Sequence, residues 1–567
     1  MEFMRSRWLV LTGSLGLGIS VSVFACGGET PVIPPPADAS FPDTSLPQDD
    51  AAEAGSETGA PDADAGCGSE VPPGPGILHT AYGAVRGSLE GTVYTYKNIP
   101  YASPPVGKKR WALPEAPSCW KGERDGTAWG PPCMQGDAEG QGFVSGVEDC
   151  LQANVWTPKD AKNRPILFWI HGGGNQVGSA VEEVSGTRIY DGKNLADATK
   201  SVVVTVNYRL GLLGFLGHAS LRQETSKGTG NYGLHDLAFA LAWTKKHAAE
   251  LGGDPSRIMI FGESAGGLNV CSLLASRNGA GAFSAGVMQS GGCGARTLAE
   301  AEEQGRAVAT AAKCDATPGV PDCLRALSGP DLLKAFPTSV LVAGKGTGWG
   351  ATVDGFFLDQ KPLDVIATGQ HAKVPVIVGA NANETSRSVP LRLAATDAEY
   401  RSAVQALFGA VVAPVVLAQY PSSSYPSPWS AFVALTSDAK FICPSRKIAR
   451  ALAAAGSPTY RYFFDHPLDN APLLRPFGTY HGLDVIFVFG HLTLAGYTPS
   501  ASETNISRAF MGYWGSLAEN KNPGGLSSLP PWPRYEGARD NALGIGSTIA
   551  VREALLKANC DFWDSFL

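Results

Sequence analysis

The run Gly262-Glu263-Ser264-Ala265-Gly266-Gly267 sets a serine between glycines. It follows the apolar stretch Ile258–Phe261 and opens a helix-like stretch, Leu268 to Ser276. G-x-S-x-G between a strand and a helix is the pattern of a nucleophile elbow, a turn that lifts the serine hydroxyl above the end of a sheet. So tight a turn needs glycine two positions to either side of the serine, and the following helix N-terminus adds a positive field. The chemistry expected of Ser264 is attack on a carbonyl through a covalent intermediate. Such attack creates an oxyanion that needs hydrogen-bond donors fixed in advance. His171-Gly172-Gly173-Gly174 follows the apolar run Pro165–Ile170, and its glycines let backbone N–H groups approach a substrate unobstructed. Gly173 and Gly174, with the N–H of Ala265, are the expected oxyanion hole.

A serine nucleophile needs a base and an acid to orient that base. Hydrolases with this elbow run serine, acid, histidine along the chain, so His171, which precedes Ser264, reads as structural. Three histidines follow at suitable places: His466, His481 and His491. Glu384 stands in Gly379-Ala380-Asn381-Ala382-Asn383-Glu384-Thr385, just past the apolar run Val374–Val378, where a catalytic loop belongs. Asp354, Asp465 and Asp484 compete with it, and spacing alone leaves both choices open.

The elements that must carry these residues are legible as alternation. Pro165–Ile170, Val202–Val206, Ile258–Phe261, Gly286–Met288 and Val374–Val378 are continuous apolar runs, as in strands buried on both faces. Helical stretches lie between them, the clearest from Leu237 to Leu251, ended by Gly252-Gly253-Asp254-Pro255. This order predicts an α/β fold, a mostly parallel central sheet with helices on both faces. His79 to Asn98 alternates around Gly83, Gly87 and Gly91 and predicts short antiparallel strands at a sheet edge.

Composition narrows the function. Apolar residues make up 44% of 567, enough for a large core. The net charge is -7 and the basic residues are scattered, which argues against a nucleic-acid partner. There is no P-loop and no H-E-x-x-H, so the chemistry is expected to need no metal or cofactor. Residues 1–25 read as an export signal: Arg5 and Arg7, then an uncharged apolar stretch, then Val23-Phe24-Ala25. Cys26-Gly27-Gly28 follows and resembles a bacterial lipoprotein site, which implies a lipid anchor at Cys26 and a place in the cell envelope; without it the protein is secreted. Residues 26–75, rich in Pro, Ala, Asp and Gly, cannot bury enough apolar area to order themselves and read as a tether to a domain over 76–567. Eleven cysteines less Cys26 leave an even ten, which in an exported chain are expected to pair.

Taken in order, these motifs resemble the type-B carboxylesterase family, which includes the cholinesterases. The resemblance runs from about Gly76 to Leu567. It includes Glu148-Asp149-Cys150-Leu151 with Asn154-Val155-Trp156, Asn207-Tyr208-Arg209-Leu210-Gly211, Gly230-Asn231-Tyr232-Gly233-Leu234 and Gly252-Gly253-Asp254-Pro255. It implies an α/β-hydrolase fold and hydrolysis of small carboxylic esters. It implies Glu384 as the acid, although Asn383 and Thr385 stand where the family has Asp and Gly, and His481, in Tyr480-His481-Gly482, as the base. Ser290, in Gln289-Ser290-Gly291, and Glu263 are the candidates for supporting positions. The resemblance further implies disulfides Cys133–Cys150, Cys314–Cys323 and Cys443–Cys560. It assigns no partners to Cys67, Cys119, Cys271 and Cys293; pairing Cys67 with Cys119 would staple the tether to the body.

Two other readings share the fold. Some relatives are binding or adhesion proteins that have lost a triad member, whereas every member is present here. Amide or carbamate cleavage would use the same machinery. Cholinesterases carry a tryptophan in the first disulfide loop that binds choline by cation–π attraction. The stretch from Met134 to Asp149 has no tryptophan and only Phe143 as an aromatic, which predicts neutral esters as substrates.

Overall fold

The computed structural model describes residue 67 and residues 70–566, except 226, 316–318, 338 and 341–347. The expected export signal, Cys26 and most of the tether lie outside the described residues. The described residues all belong to one compact unit, Asp64–Leu567.

Eleven strands form one sheet. In chain order they are β1 (Ser88–Glu90), β2 (Val93–Pro100), β3 (Gln152–Pro158), β4 (Arg164–Ile170), β5 (Val202–Val206), β6 (Gly253–Glu263), β7 (Ala285–Gln289), β8 (Val376–Asn381), β9 (Thr459–Phe464), β10 (Ala542–Ile545) and β11 (Ala550–Arg552). Across the sheet they run β1-β2-β3-β5-β4-β6-β7-β8-β9-β10-β11. From β5 to β10 every neighbouring pair is parallel. Antiparallel pairs close both ends. The alternating segment after His79 forms the antiparallel hairpin Ile77–Thr80 with Gly83–Arg86, then β1 and β2 at the sheet edge.

The helices that matter for the site are α1 (Tyr232–Lys246), α2 (Ala265–Ala275), α3 (Pro428–Ser437), α4 (Cys443–Ala454), α5 (Leu483–Val488), α6 (Ala501–Asn520) and α7 (Lys557–Asp564). Successive residues of β4 serve opposite cores. Ile166, Phe168 and Ile170 pack with residues of α1, α2 and α4, whereas Leu167 and Trp169 pack with residues of α5 and α6. That two-sided burial is why β4 reads as an unbroken apolar run. Each such side chain removed from water contributes roughly 1.5–3 kcal/mol.

One helix is displaced from its expected position. Leu237–Leu251 was the predicted span, and the helix runs Tyr232–Lys246. It begins early because Tyr232 and Leu234 find buried sites that outweigh the poor helix propensity of Gly233. It ends where the His247 N–H turns to Trp243 O and Lys245 O.

The three pairs implied by the family resemblance, Cys133–Cys150, Cys314–Cys323 and Cys443–Cys560, are joined. Cys67–Cys119 and Cys271–Cys293 are joined as well. Cys443–Cys560 ties α4 to α7.

Candidate active site

Ser264 ends the strand–turn–helix elbow between β6 and α2 with φ 57° and ψ −120°, a conformation that costs a non-glycine residue of order 1–3 kcal/mol. Its neighbours hold it there: the Ser264 N–H donates to Gln289 O on β7 at 2.8 Å, and the Leu268 N–H donates to Ser264 O at 3.0 Å. The glycine at 266 is obligatory, because a Cβ there would lie 2.0 Å from Ile170 O. The glycine loop after β4 reaches the same point. A Cβ on Gly172 would lie 2.8 Å from Glu263 Oε2 and 3.1 Å from Ser264 Cβ. Gly173 and Gly174 follow with φ of 100° and 65°. The glycine loop thus abuts the elbow at Gly172, with Gly173 and Gly174 next along the chain and Ala265 next to Ser264. His171 is buried, stacks on Tyr208 at 4.5 Å, and is pushed down to about 4 by desolvation, as befits a structural residue.

The loops after β8 and β9 meet beside the elbow. His481 Nδ1 lies 2.6 Å from Glu384 Oε2, a contact made across 97 residues of sequence. Glu384 is 1% exposed, and its other oxygen accepts the Asn381 N–H at 2.7 Å. The Glu384 carbonyl accepts the His481 N–H at 3.2 Å. Asn383, where the family has aspartate, joins the two loops: its N–H donates to Thr479 O at 3.0 Å and its Oδ1 accepts the Thr479 N–H at 3.1 Å. Thr385, where the family has glycine, lies with its hydroxyl 2.6 Å from that of Thr436 on α3. Asn383 keeps the acceptor that an aspartate would supply, whereas the Thr385 hydroxyl adds a cross-link that glycine could not.

On its other side His481 faces the second carboxylate. Its Nε2 lies 3.1 Å from Glu263 Oε1, and among the described residues the Ser264 hydroxyl makes no hydrogen bond to the ring. Catalytic hydrogen bonds are often loose before substrate binds. Desolvation presses the imidazole toward neutrality, but Glu263 and Glu384 together outweigh it and hold His481 up, at about 9. Burial pushes Glu263 up to about 8, with His481 opposing. The pair therefore competes for a proton near neutral pH.

The other candidate acids and bases lie elsewhere. Asp484 is buried three residues past His481, yet its carboxylate takes Gln289 Nε2 at 2.8 Å, the Tyr462 hydroxyl at 2.9 Å and Asn381 Nδ2 at 3.2 Å. Asp354 accepts the N–H groups of Phe356 to Leu358, and Asp465 pairs with Arg552. His491 Nε2 lies 2.8 Å from Asp191 O, and His466 Nδ1 lies 3.2 Å from Ser547 Oγ. Ser290 is buried with φ 50°, and its hydroxyl has no partner among the described residues; only its N–H is used, toward Gly379 O.

Sequence reasoning missed Phe441, whose ring lies 4.8 Å from that of His481. It sits in a π-turn, Asp438–Ile442, between α3 and α4, where the Cys443 N–H reaches back to Asp438 O. Pro444 in the next position has no N–H, and its ring interrupts an ordinary helical ladder. Proline inside an apolar helical pattern was the available signal.

Comparison with known proteins agrees with this geometry. Residues 75–563 match the profile of the carboxylesterase family. A rabbit (Oryctolagus cuniculus) cocaine esterase is 32% identical over 527 residues, covering 86% of this chain and 95% of its own. A fumonisin B1 esterase of Sphingopyxis macrogoltabida is 33% identical over 496 residues, covering 84% and 88%. The crystal structure of a carboxylesterase of Geobacillus stearothermophilus superimposes with a TM-score of 0.73 at 30% identity, covering 86% of this chain and all of its own. The chain has the α/β-hydrolase fold and belongs to the carboxylesterase family, whose carboxylic-ester hydrolysis it performs.

Proposed function

We propose that Ser264 is the nucleophile, His481 the general base and acid, and Glu384 the acid that orients His481. The 2.6 Å contact between His481 Nδ1 and Glu384 Oε2 beside the strained elbow carries this reading. Glu384 fixes Nδ1 as the protonated nitrogen and leaves Nε2 to take the Ser264 proton. The serine oxygen bonds to the ester carbonyl carbon, and the N–H groups of Gly173, Gly174 and Ala265 receive the oxyanion. Collapse breaks the bond to the alcohol, which leaves with the proton from His481. Water, deprotonated by His481, then attacks the acyl-enzyme and frees the acid and Ser264. Binding without catalysis is the weaker reading, because no member of this set is missing.

The substrates of this proposal are neutral small or medium carboxylic esters. Phe143 in the first disulfide loop is 71% exposed, and the face of Trp129 nearby in sequence is covered by Lys97 Nζ at 4.6 Å. Cations of the chain itself, Lys97 and Arg188, already lie over Trp129, and Phe143 faces solvent instead of walling a closed pocket that would desolvate a quaternary ammonium. A choline ester and its 3,3-dimethylbutyl analogue with the same acyl group are therefore expected to give kcat/KM values within a few-fold. A preference for the choline ester of about tenfold or more, roughly the worth of a good cation–π contact, contradicts this.

Five disulfides suit an oxidising compartment. Export with a lipid at Cys26 completes the proposal.

A further inference from the structure

His466, one of the three histidines the sequence offered as a base, belongs to a second constellation. It follows β9, is 3% exposed, and its Nε2 is buried without a hydrogen-bond partner, 3.4 Å from Asp469 Oδ2. Glu503, in the first turn of α6, is fully buried. Potential ligand atoms of His466, Asp469 and Glu503 all lie within 4.8 Å of one another. Each is held from behind. His466 Nδ1 lies 3.2 Å from Ser547 Oγ. Asp469 Oδ2 accepts the Ser500 hydroxyl at 2.6 Å. Glu503 Oε1 accepts the Tyr497 hydroxyl at 2.6 Å and the Asp469 N–H at 3.1 Å, and its Oε2 accepts the Ser500 N–H at 2.6 Å. Among the described residues no lysine or arginine pairs with either carboxylate.

We propose that His466, Asp469 and Glu503 hold a divalent metal ion, zinc or a first-row transition ion. One imidazole nitrogen and two carboxylates suit such ions, whereas calcium prefers oxygen alone. In the metal-bound tautomer Nδ1 donates to Ser547 Oγ, and the Nε2 lone pair then faces the carboxylates, the arrangement that prepares a histidine ligand. Two carboxylates, one of them wholly buried, supply charge that His466 alone does not balance. The Asp469 side chain is 37% exposed and gives the ion a way in. Bonds of about 2.1 Å span at most about 4.2 Å between opposite ligands, so the side chains must close slightly on the ion. The bound ion joins the segment leaving β9 to the start of α6. It takes no part in ester cleavage.

The test uses untagged enzyme, stripped with chelator and titrated with Zn²⁺ in a calorimeter. The expected result is one equivalent bound, with Tm raised by several degrees. His466→Gln and Asp469→Asn should each weaken binding by about tenfold or more. Ser264→Ala should bind zinc unchanged, which separates this site from the ester-hydrolysing one. If His466→Gln fails to fold, Asp469→Asn, at a partly exposed position, decides. No zinc uptake, or uptake that neither variant weakens, overturns the proposal and leaves the contact between His466 and Asp469 a structural one.

Discussion

His481 lies between two carboxylates, Glu384 on Nδ1 and Glu263 beside Nε2. Only the neutral imidazole can accept the serine proton, so activity is lost as pH falls through the His481 pKa. That pKa is raised to about 9 in the free site, because Glu263 and Glu384 outweigh desolvation. The acid limb of kcat/KM is therefore expected above the ordinary histidine value of about 6.5. Glu263→Gln removes the first of the two carboxylates and should move that limb to lower pH, by roughly one to two units. A limb that stays in place, or moves up, would sink this electrostatic account. At this scale the sequence was uneven. Ser264 was legible because an elbow is local: a few adjacent residues dictate φ, ψ and the glycine at 266. The proposed acid and base, Glu384 and His481, were not, because a 97-residue separation hides their contact, and only the family resemblance chose among the alternatives.

Loops after β8 and β9 must stay in register for that contact to persist. Asn383 supplies two hydrogen bonds to Thr479 across them, one from its side chain. Asn383→Ala removes the side-chain acceptor and leaves the Thr479 N–H without its partner, at a cost of about 1–3 kcal/mol. Turnover should fall with it, whereas Asn383→Asp, the family residue, keeps an acceptor and should stay within a few-fold of the parent. Equal kinetics for parent and Asn383→Ala would show that the two loops are held by other means. The strands were readable before the structure because two-sided burial imposes unbroken apolar runs. The start of α1 was not, because burial of Tyr232 and Leu234 overrides local propensity. The π-turn that places Phe441 was signalled only by Pro444 inside an apolar helical pattern, and apolar periodicity does not show which ring the turn presents to His481.

Among the described residues five disulfides are joined: three lie in the core on one face of the sheet, Cys443–Cys560 lies in a separate cluster with Tyr420 and Trp563, and Cys67 is joined to Cys119 at the edge of the described residues. The sequence raised Cys67–Cys119 as a staple for the tether but had no assignment for Cys271 and Cys293, since pairing depends on three-dimensional proximity rather than spacing. The chain before Cys67 carries the expected lipid site. Cys26→Ser is expected to move the enzyme from the membrane fraction to the soluble one with its activity unchanged; unaltered fractionation would leave plain secretion. The central claim is that Ser264 forms the acyl-enzyme. Its most direct test is the mass of the whole protein and its peptides after reaction with a fluorophosphonate, alongside turnover of an activated aryl ester. The account predicts a single adduct on the peptide containing Ser264. In Ser264→Ala both adduct and turnover should vanish, the latter by a factor on the order of 10⁴ or more, with thermal unfolding unchanged. An adduct on another residue, or turnover retained in Ser264→Ala at comparable purity, would contradict it.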